Sequence, residues 1–545
     1  MIDAETRKSF FGRTDILNLL KKRVADLKEG CRQNITLLGS QNVGKSAILH
    51  NFLSNLDEEN VTAVYLDLEN KDFSYFFRKF TGGLLYNFSK GRQLPLHDDL
   101  NLLLESTKDF IPQTVQVIKK IQKDLGQGKL NASFLGLLML PEIYTNETGK
   151  FCILILDEFQ NLEEFGLPQV FENLGKKIMT QKRCFYVMSS SLKTAAKKIL
   201  SEKLSLLFGN FEVIEVDVFD VQTSHRFVQY NLGDIKIGTQ LVDFLTDFTG
   251  GHPLYLNLIC RELISLSAVH NQLEIFQPLL SQAVENTIFD RWGVISRHFE
   301  LVMKDLCNGK GNHQYPFILI SLANGRYKVD DVTEDMGFRK SHITQKLNRL
   351  VELGVVVKNG NLYYFKDKLF KYWIKYVYQK RLRDVELAPD KNRRQFKEEF
   401  TAGIEDFYVA TRQDFSSRII DLFYCFDNEA LNLNGRKYKL PVFKEITPCR
   451  FRCENGSFVD VIKASTEDSV WFVMSKRENI VESEINVILR EIKKIETRLE
   501  RCLIISLTDV DENTRLKALQ EKFWIWNEQE LNALLTLFNK PYIVR

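Results

Sequence analysis

One short segment near the amino terminus has the residue types and spacing of a phosphate-binding loop. It lies between two apolar stretches and reads, in order, Gly39, Ser40, Gln41, Asn42, Val43, Gly44, Lys45 and Ser46. Its two glycines let the backbone curl so that consecutive N–H groups face an anion, and the helix expected after it adds its positive end. The spacing predicts that Lys45 reaches the β- and γ-phosphates of a nucleotide and that the Ser46 hydroxyl ligates Mg²⁺.

A pair of carboxylates follows another apolar run, in the segment FCILILDEFQNL. Asp157 and Glu158 fall at the carboxyl end of a predicted buried strand, where open α/β sheets bind their ligands. We expect Asp157 to hold Mg²⁺, directly or through water, and Glu158 to orient and polarise an attacking water. Downstream of a phosphate loop, this pair of catalytic candidates favours an ATPase that positions its own water.

Hydroxyl side chains end a further predicted strand, in the segment VMSSS. Either Ser189 or Ser190 could sense the γ-phosphate or the water, and we assign Ser190 to the nucleotide site. A polar strand end without a ligand is the alternative interpretation.

A parallel sheet is needed to bring these side chains to one edge. The first 220 residues alternate strand-like and helix-like segments, which is typical of a parallel α/β sheet. The predicted strands are NITLLG, TAVYLDL, FCILILD, CFYVMSS and FEVIEVDV. The middle three are near-continuous apolar runs, as expected of strands covered on both faces. The predicted fold class is therefore α/β, a nucleotide-binding parallel sheet.

Later segments predict further domains along the 545 residues. Three short helices that end at glycines, followed by two strands joined at Asn359-Gly360, indicate a winged helix-turn-helix. The predicted regions are a P-loop core (1–220), a helical lid (221–310), the winged helix (311–385) and a last region that mixes helix with strand (386–545).

The bulk composition narrows the function classes. A formal net charge of +3 over this length shows no overall attraction to nucleic acid. Nine cysteines without framework spacing suit a reducing compartment. No signal-peptide core or membrane-spanning apolar stretch is visible in the sequence. We expect a cytoplasmic protein without a membrane partner.

The last helix of the predicted winged helix carries basic residues opposite its apolar face. They are Arg339, Lys340, Lys346 and Arg349. Such a helix could enter the major groove of double-stranded DNA with these side chains on phosphates. The preceding segment KVDDVTEDMG is acidic and would repel phosphates, so a protein partner is the alternative.

Taken in order, these segments resemble the archaeal-type ATPases, a prokaryotic family within the STAND branch of signal-transduction ATPases near AAA+ proteins. FFGRTDILNLL resembles the family's opening Gly-Arg box, which implies that Arg13 lies near the adenine. LDEFQNL resembles its motif for Mg²⁺ and water. TGGHPLYL resembles its lid motif, which implies that His252 and Pro253 approach the nucleotide. YYFKDKLFKYWIKYV resembles the segment that leaves its winged helix.

The resemblance implies ATP and Mg²⁺ as cofactors. It also implies a restriction-endonuclease-like domain in region 386–545, which many members of the family carry.

The sequence departs from the family pattern at two places. Asn210 stands where members usually place an arginine, a group that can contribute about 10³–10⁵ in turnover. Hydrolysis is therefore expected to be slow, or the cation comes from Arg13, Lys193 or a partner.

The second departure lies in the last region. Asp460 and Lys476 match two members of a nuclease site, but Met474 stands where the second metal-binding acid belongs. We expect an inactive, nuclease-derived module.

The function expected from these features is an ATP-binding molecular switch that hydrolyses ATP slowly and couples its nucleotide state to the winged helix. Its partner would be double-stranded DNA, another protein or a second copy of the chain. The alternatives are an ATP-gated interaction scaffold or sensor without DNA binding, and an ATP-regulated nuclease, which Met474 disfavours.

Overall fold

A computed structural model of the protein describes residues 10–69, 72–204, 211–309, 311–382, 389–433, 436–452, 458–477, 480–494, 498–507, 510–538 and 540–541. The chain divides into two compact units. The first runs to Phe219 and includes His252–Leu254, and the second comprises Asp220–Gly251 and the chain from Tyr255 onward. Asn210, the predicted replacement of the family arginine, lies outside the described residues.

A five-stranded parallel sheet forms the centre of the first unit, and the predicted α/β class is confirmed. The strands are β1 (Asn34–Leu38), β2 (Val61–Asp67), β3 (Phe151–Asp157), β4 (Cys184–Ser190) and β5 (Phe211–Glu215). Their order across the sheet is β2-β3-β4-β1-β5, and all neighbours are parallel. Because β4 lies between β1 and β3, the end of β4 separates the loop after β1 from the acidic end of β3.

Helices cover this sheet on both faces. They are α1 (Thr14–Lys28), α2 (Lys45–Ser54), α3 (Phe73–Gly91), α4 (Leu100–Thr107), α5 (Pro112–Gly126), α6 (Leu130–Thr148), α7 (Val170–Thr180) and α8 (Lys193–Lys198). A 3₁₀ turn covers Phe159–Phe165, and a π-helical turn covers Ile199–Lys203. Helices α3 to α6 form an insertion between β2 and β3.

The continuous apolar sequence of β3 follows from this cover. Leu154 and Leu156 pack into the core on one face, which includes residues of α3 to α7. Ile153 and Ile155 pack into the core on the other face, with residues of α1 and α2. Every second side chain of a strand points to the same face, so burial of both faces requires apolar residues at every position.

The second unit begins with helices, one short parallel strand pair and one short antiparallel strand pair. Its first elements are α9 (Val221–Leu232), β6 (Lys236–Ile237), α10 (Thr239–Thr249), α11 (Pro253–His270, whose first residues belong to the first unit), β7 (Glu274–Ile275), α12 (Gln277–Phe289) and α13 (Val294–Cys307). A 3₁₀ turn (Asn312–Gln314) precedes α14 (Tyr315–Ala323), α15 (Val329–Met336), α16 (Lys340–Glu352), the antiparallel pair β8 (Val356–Asn359) and β9 (Leu362–Phe365), α17 (Lys368–Trp373), a π-helical turn (Ile374–Tyr378) and α18 (Gln379–Leu382).

A mixed five-stranded sheet dominates the rest of the second unit. The elements are α19 (Pro389–Arg412), α20 (Phe415–Phe423), β10 (Glu429–Leu433), β11 (Arg436–Leu440), β12 (Glu445–Arg452), β13 (Phe458–Ser465), β14 (Val470–Lys476), α21 (Glu482–Ile492), β15 (Leu499–Ser506), α22 (Glu512–Gln520), β16 (Trp524–Trp526) and α23 (Glu528–Leu537). Strands β12 to β14 are antiparallel, whereas β14, β15 and β16 are parallel. Separate apolar cores lie on the two faces of this sheet.

Among the described residues, no helix combines the length and the apolar character needed to cross a membrane.

Candidate functional site

The segment after β1 folds into a loop whose backbone requires glycine at two positions. A Cβ atom on Gly39 would lie 2.3 Å from the carbonyl oxygen of Val216, which is far inside van der Waals contact. Gly44 has φ +102°, in the left-handed region that side chains disfavour. The N–H of Gly39 donates to the carbonyl of Ser190 at 3.2 Å, and α2 begins at Lys45. The loop therefore precedes a helix N-terminus, as an anion site requires.

Lys45 is held inside this loop. Its ammonium donates to the carbonyl oxygens of Gly39 at 3.0 Å and Ser40 at 2.9 Å. It also lies 3.9 Å from Oε1 of Glu158, and the Lys45 side chain is 4% exposed. Burial lowers the pKa of Lys45, against the attraction of the Glu158 and Asp157 carboxylates. The cation is thus fixed beside the loop backbone, where a phosphate would meet it.

Asp157 receives hydroxyl donors from three different elements. The hydroxyl of Ser46 donates to Oδ2 at 2.7 Å, that of Tyr65 donates to Oδ2, and that of Ser189 donates to Oδ1. Burial, and then the charge of Asp157, raise the pKa of Tyr65, so its phenol keeps the proton that it donates. The Asp157 carboxylate is buried and has a defined orientation.

Glu158 adopts a left-handed backbone conformation at the end of β3, with φ 56°. Its Oε2 atom accepts hydrogen bonds from the backbone N–H of Ser191 at 2.9 Å and from the Ser191 hydroxyl at 2.7 Å. The side-chain amide of Gln160 donates to the same oxygen at 2.7 Å. The carboxylate is therefore tied to the residue that follows β4.

The donor set at this edge suits a magnesium ion. Mg²⁺ prefers oxygen ligands, and the Ser46 hydroxyl and Asp157 carboxylate supply them side by side. Asp67, at the end of β2, is in register with Asp157. Burial raises the pKa of nearby Glu69, and the charges of Asp67, Glu158 and Asp157 raise it further. Negative charge accumulated at this edge favours a bound cation.

The predicted lid residues contact the phosphate loop within the first unit. Nε2 of His252 lies 3.2 Å from the carbonyl oxygen of Gln41, at hydrogen-bond distance. Gly250 and Gly251, which precede it, have φ +61° and +68°. Pro253 begins α11. The left-handed glycines let the chain turn sharply between α10 and His252.

Two predicted cations lie against the chain after β5. Arg13 donates to the carbonyl of Asp217, and its guanidinium lies 5.0 Å from the ring centre of Phe219. Lys193 lies 2.7 Å from Asp217 and 3.1 Å from Glu215. Lys193 is thus engaged in ion pairs with carboxylates of the first unit.

Some site residues were not predicted, or were predicted in a different place. Of the two serines considered, Ser189 contacts Asp157, whereas the Ser190 hydroxyl accepts from the backbone N–H of Leu192 at 3.1 Å. Tyr65, Gln160 and Ser191 were missed. Tyr65 reaches Asp157 because β2 and β3 pair in parallel, and the sequence alone does not reveal that pairing.

The four basic residues of α16 have different surroundings. Lys346 donates to the carbonyl of Gly311 at 2.8 Å and lies 4.7 Å from the ring centre of Tyr315. Lys340 pairs with Asp330 of α15 at 2.6 Å, and Arg349 pairs with Glu352 at 2.8 Å. Arg339 is exposed just before the helix.

The structure does not bring the two predicted nuclease residues together. Val461 is directly opposite Met474 in the antiparallel pair β13–β14, so these two share a face, and both pack into the same core. Alternation then places Asp460 on the other face from Met474 and Lys476. Asp460 pairs with Arg450 at 2.7 Å, and Lys476 pairs with Glu484 at 3.0 Å.

A parallel sheet with a Gly-Lys-Ser loop after β1 and an acidic pair after β3 defines a P-loop nucleotide-binding fold. Residues 10–259 match the model of a family described as the ATPase domain predominantly from Archaea. This part of the chain is therefore similar to an archaeal-type P-loop ATPase domain, and the match suggests ATP binding and hydrolysis.

Several solved structures are similar to this chain. A Walker-type ATPase of Pyrococcus abyssi is 16% identical, over 68% of this chain and 97% of that chain, with a TM-score of 0.44. The ORC2 protein of Aeropyrum pernix, solved in ADPNP and ADP complexes, is 9% identical over 70% and 99%, with a TM-score of 0.42. The RuvB Holliday junction branch migration motor of Thermotoga maritima is 13% identical over 67% and 96%, with a TM-score of 0.33. No curated protein matches the sequence.

Proposed function

We propose that the protein is a molecular switch that binds ATP with Mg²⁺, hydrolyses it slowly and transmits its nucleotide state to the winged helix of region 311–385. One observation carries the proposal. The pair Lys45-Ser46 meets the pair Asp157-Glu158 at one edge of the first sheet, although Ser46 and Asp157 are 111 residues apart in sequence. A phosphate-binding cation, two oxygen ligands and a carboxylate base are the parts that phosphoryl transfer to water needs.

Each of these residues has a proposed role. The loop from Gly39 to Ser46 holds the phosphates through its backbone N–H groups, and Lys45 supplies positive charge. Ser46 and Asp157 hold Mg²⁺, which neutralises charge on the phosphates when it is bound. Glu158 accepts a proton from the attacking water.

The hydrogen bonds of Glu158 support slow hydrolysis. Three donors from Ser191 and Gln160 occupy Oε2, and the Lys45 ammonium lies 3.9 Å from Oε1, so a water must compete with existing neighbours at both carboxylate oxygens. A cation that stabilises the transferring phosphate is the second requirement. Lys193 is already ion-paired with Asp217. We therefore infer that a partner or a second copy of the chain supplies that cation.

Contacts in the second unit support transmission of the nucleotide state. Asp247 of α10 pairs with Lys368 of α17 at 2.8 Å. The Tyr255 hydroxyl of α11 donates to Asp367, the residue before Lys368. Asp247 and Tyr255 flank the turn that carries His252, so a change at His252 would reach α17 through both helices. Helix α17 begins three residues after the end of β9, the last strand of the proposed winged helix.

Contacts of α16 favour a protein partner over double-stranded DNA. Lys340 and Arg349 each face an acid of their own domain, and Lys346 is bonded to the preceding turn. Phosphate contacts would have to replace these interactions, and the acidic residues of α15 would oppose them. The nuclease alternative finds no support, because Asp460 and Lys476 lie on opposite faces of their sheet.

The substitution Glu158→Gln tests the proposed base. We expect ATP affinity to stay within about threefold, because the residue does not hold the phosphates, and turnover to fall by about 10²–10⁴-fold. Calorimetry with Mg²⁺-ATP and a phosphate-release assay measure the two quantities. Glu163→Gln, an exposed acid on the following turn, is the matched control and should leave both unchanged. Undiminished turnover in Glu158→Gln would refute the assignment.

The partner class is tested by adding duplex DNA at several salt concentrations. We expect ATP turnover to be indifferent to DNA. We also expect size-exclusion profiles to differ between ATP and ADP, since a second copy or a partner supplies the missing cation. Stimulation by DNA that disappears steeply with salt would instead indicate phosphate contacts.

A further inference from the structure

The second unit contains a cavity of about 430 Å³, separate from the nucleotide site. Residues of α10, α17, α19 and α20 line it, together with residues near the end of the described chain. Pockets for small molecules typically have volumes of about 300–1,000 Å³, so this cavity can hold a compact organic ligand.

One wall of the cavity is aromatic. Phe244 and Phe248 of α10 pack against Phe400 of α19, with ring centres 5.3 and 5.0 Å apart and nearly perpendicular planes. Phe407 packs on Phe244 in the same manner, at 5.6 Å. All four rings are buried and hold one another in place. Phe244 and Phe248 keep 5% and 4% exposure, so this wall offers a small, rigid apolar contact for a planar or apolar group of a ligand.

Arg418 brings a buried positive charge to the lining. Arg418 is 6% exposed, and it donates to the carbonyl of Pro541 at 2.7 Å. Burial and the neighbouring guanidinium of Arg477 lower the pKa of Arg418 to about 10, although Asp247 acts in the opposite direction. An anion beside Arg418 would add a charge-assisted hydrogen bond to the interactions that already hold this guanidinium.

The carboxylates of the lining repel such a ligand only weakly. Asp247 is paired with Lys368 at 2.8 Å, and Glu399 is paired with Lys375 at 2.6 Å. Asp406 and Asp421 are exposed, where water screens their charge.

The cavity touches the helix that leads to the nucleotide site. Phe244, Asp247 and Phe248 are in the last two turns of α10, which ends at Thr249. Three residues later the chain reaches His252, whose ring contacts the phosphate loop at Gln41. A ligand that moves these side chains acts on the helix that ends three residues before His252 in the chain.

We propose that this cavity binds a small organic anion with a planar or aromatic group, and that its occupancy changes the affinity of the protein for ATP. The second part rests on the proposed function, whereas binding in the cavity does not.

Gly403 offers a way to fill the cavity without removing any contact. It lines the cavity on α19, and a Cβ atom at this position would meet no atom within 4 Å. Gly403→Phe adds a ring to this open space. Gly403→Ala, at the same position, adds only a methyl group and serves as the matched control.

The first experiment titrates the full chain with 1-anilinonaphthalene-8-sulfonate, an aromatic sulfonate, and follows its fluorescence. We expect one site whose affinity is unchanged in Gly403→Ala and at least about tenfold weaker in Gly403→Phe. Arg418→Gln should weaken binding about fivefold, because a charged hydrogen bond is lost. Equal affinity in Gly403→Ala and Gly403→Phe, or no binding to the parent protein, would overturn the site even if Arg418→Gln failed to fold.

Displacement then tests the ligand class. Benzoate should displace the fluorophore, whereas inorganic phosphate at the same concentration should not, since it has no group for the aromatic wall. Displacement by phosphate alone would overturn the requirement for a planar group.

The final experiment measures ATP affinity with and without saturating fluorophore. We expect a change of at least about threefold in the parent protein and in Gly403→Ala, and none in Gly403→Phe. An unchanged ATP affinity in the parent protein would refute the coupling while leaving the cavity site intact. Failure of ATP to bind under any condition would refute the proposed function instead.

Discussion

The two large sheets of this protein contain similar chemical groups, and only the first brings them together. In the first sheet, Lys45 and Asp157 come from separate segments and lie at one edge, where Ser46 joins them. In the second sheet, Asp460 and Lys476 belong to neighbouring strands but occupy opposite faces. Proximity in sequence and the right residue types therefore do not make a site without the right strand register.

The difference has a simple geometric cause. The carboxyl ends of parallel strands all reach the same edge of a sheet. Residues that follow β1, β3 and β4 therefore meet at that edge, whichever face of the sheet their side chains are on. In an antiparallel pair, residues directly opposite each other share a face, and a shift by one position reverses it. The register of β13 with β14 puts Val461 opposite Met474 and so excludes Asp460 from the face of Lys476.

The largest expected effect comes from removing the lysine of the first sheet. Lys45→Ala should weaken ATP binding by about 100-fold or more, since its charged hydrogen bonds to phosphate are lost. Calorimetry with Mg²⁺-ATP measures the affinity. Lys197→Ala, an exposed lysine of the same unit that pairs with Glu215, is the control and should bind ATP normally. Normal ATP binding by Lys45→Ala would show that the first sheet does not form the proposed nucleotide site.

The same change in an aspartate of each sheet tests the comparison directly. Asp157→Asn should lower ATP turnover by about 100-fold or more, because a metal ligand contributes several kcal/mol. Asp460→Asn should change ATP turnover and stability very little, since its pair with Arg450 is exposed and such pairs contribute about 0–1 kcal/mol. Phosphate release and thermal denaturation measure these effects.

A nuclease assay compares the parent protein with Asp460→Asn. Neither the parent protein nor Asp460→Asn is expected to degrade plasmid or linear DNA with Mg²⁺ or Mn²⁺. Cleavage by the parent protein that disappears in Asp460→Asn would contradict our view of the second sheet.

A smaller effect should come from the tyrosine that orients Asp157. Tyr65→Phe removes one of three hydroxyl donors to the carboxylate but keeps the ring. We expect the Mg²⁺ concentration for half-maximal turnover to rise about tenfold, the range found when groups that orient a metal ligand are removed. Tyr86→Phe, at an exposed tyrosine of α3, is the control. If both variants required the same Mg²⁺ concentration as the parent, Tyr65 would have only a packing role.

Buried strands were the most predictable part of the fold. The limits of β3 and β4 agree with the apolar runs at 151–157 and 184–190, because burial on both faces selects apolar residues throughout each strand. Strand β5 ends at Glu215, three residues before the predicted end at Val218. It is an edge strand and only partly buried, so its sequence carries a weaker signal.

The candidate site was predictable where its geometry is local. The loop around Gly39 and Gly44 depends on backbone conformation within a few residues, and the spacing reveals it. The contacts of Ser189 and Tyr65 with Asp157, and of Ser191 with Glu158, depend on which strands are neighbours. No local pattern encodes that order, so sequence reasoning assigned Ser190 and missed the others.

By itself, the sequence determined the phosphate loop, the acidic pair and the apolar strands, because each follows from short-range sterics or from burial of consecutive residues. Only the tertiary structure decided the strand order, the hydroxyls that contact Asp157, the separation of Asp460 from Lys476 and the cavity beside α10. These features depend on register and on the packing of distant segments, which are set by the free energy of the whole core and not by any one segment.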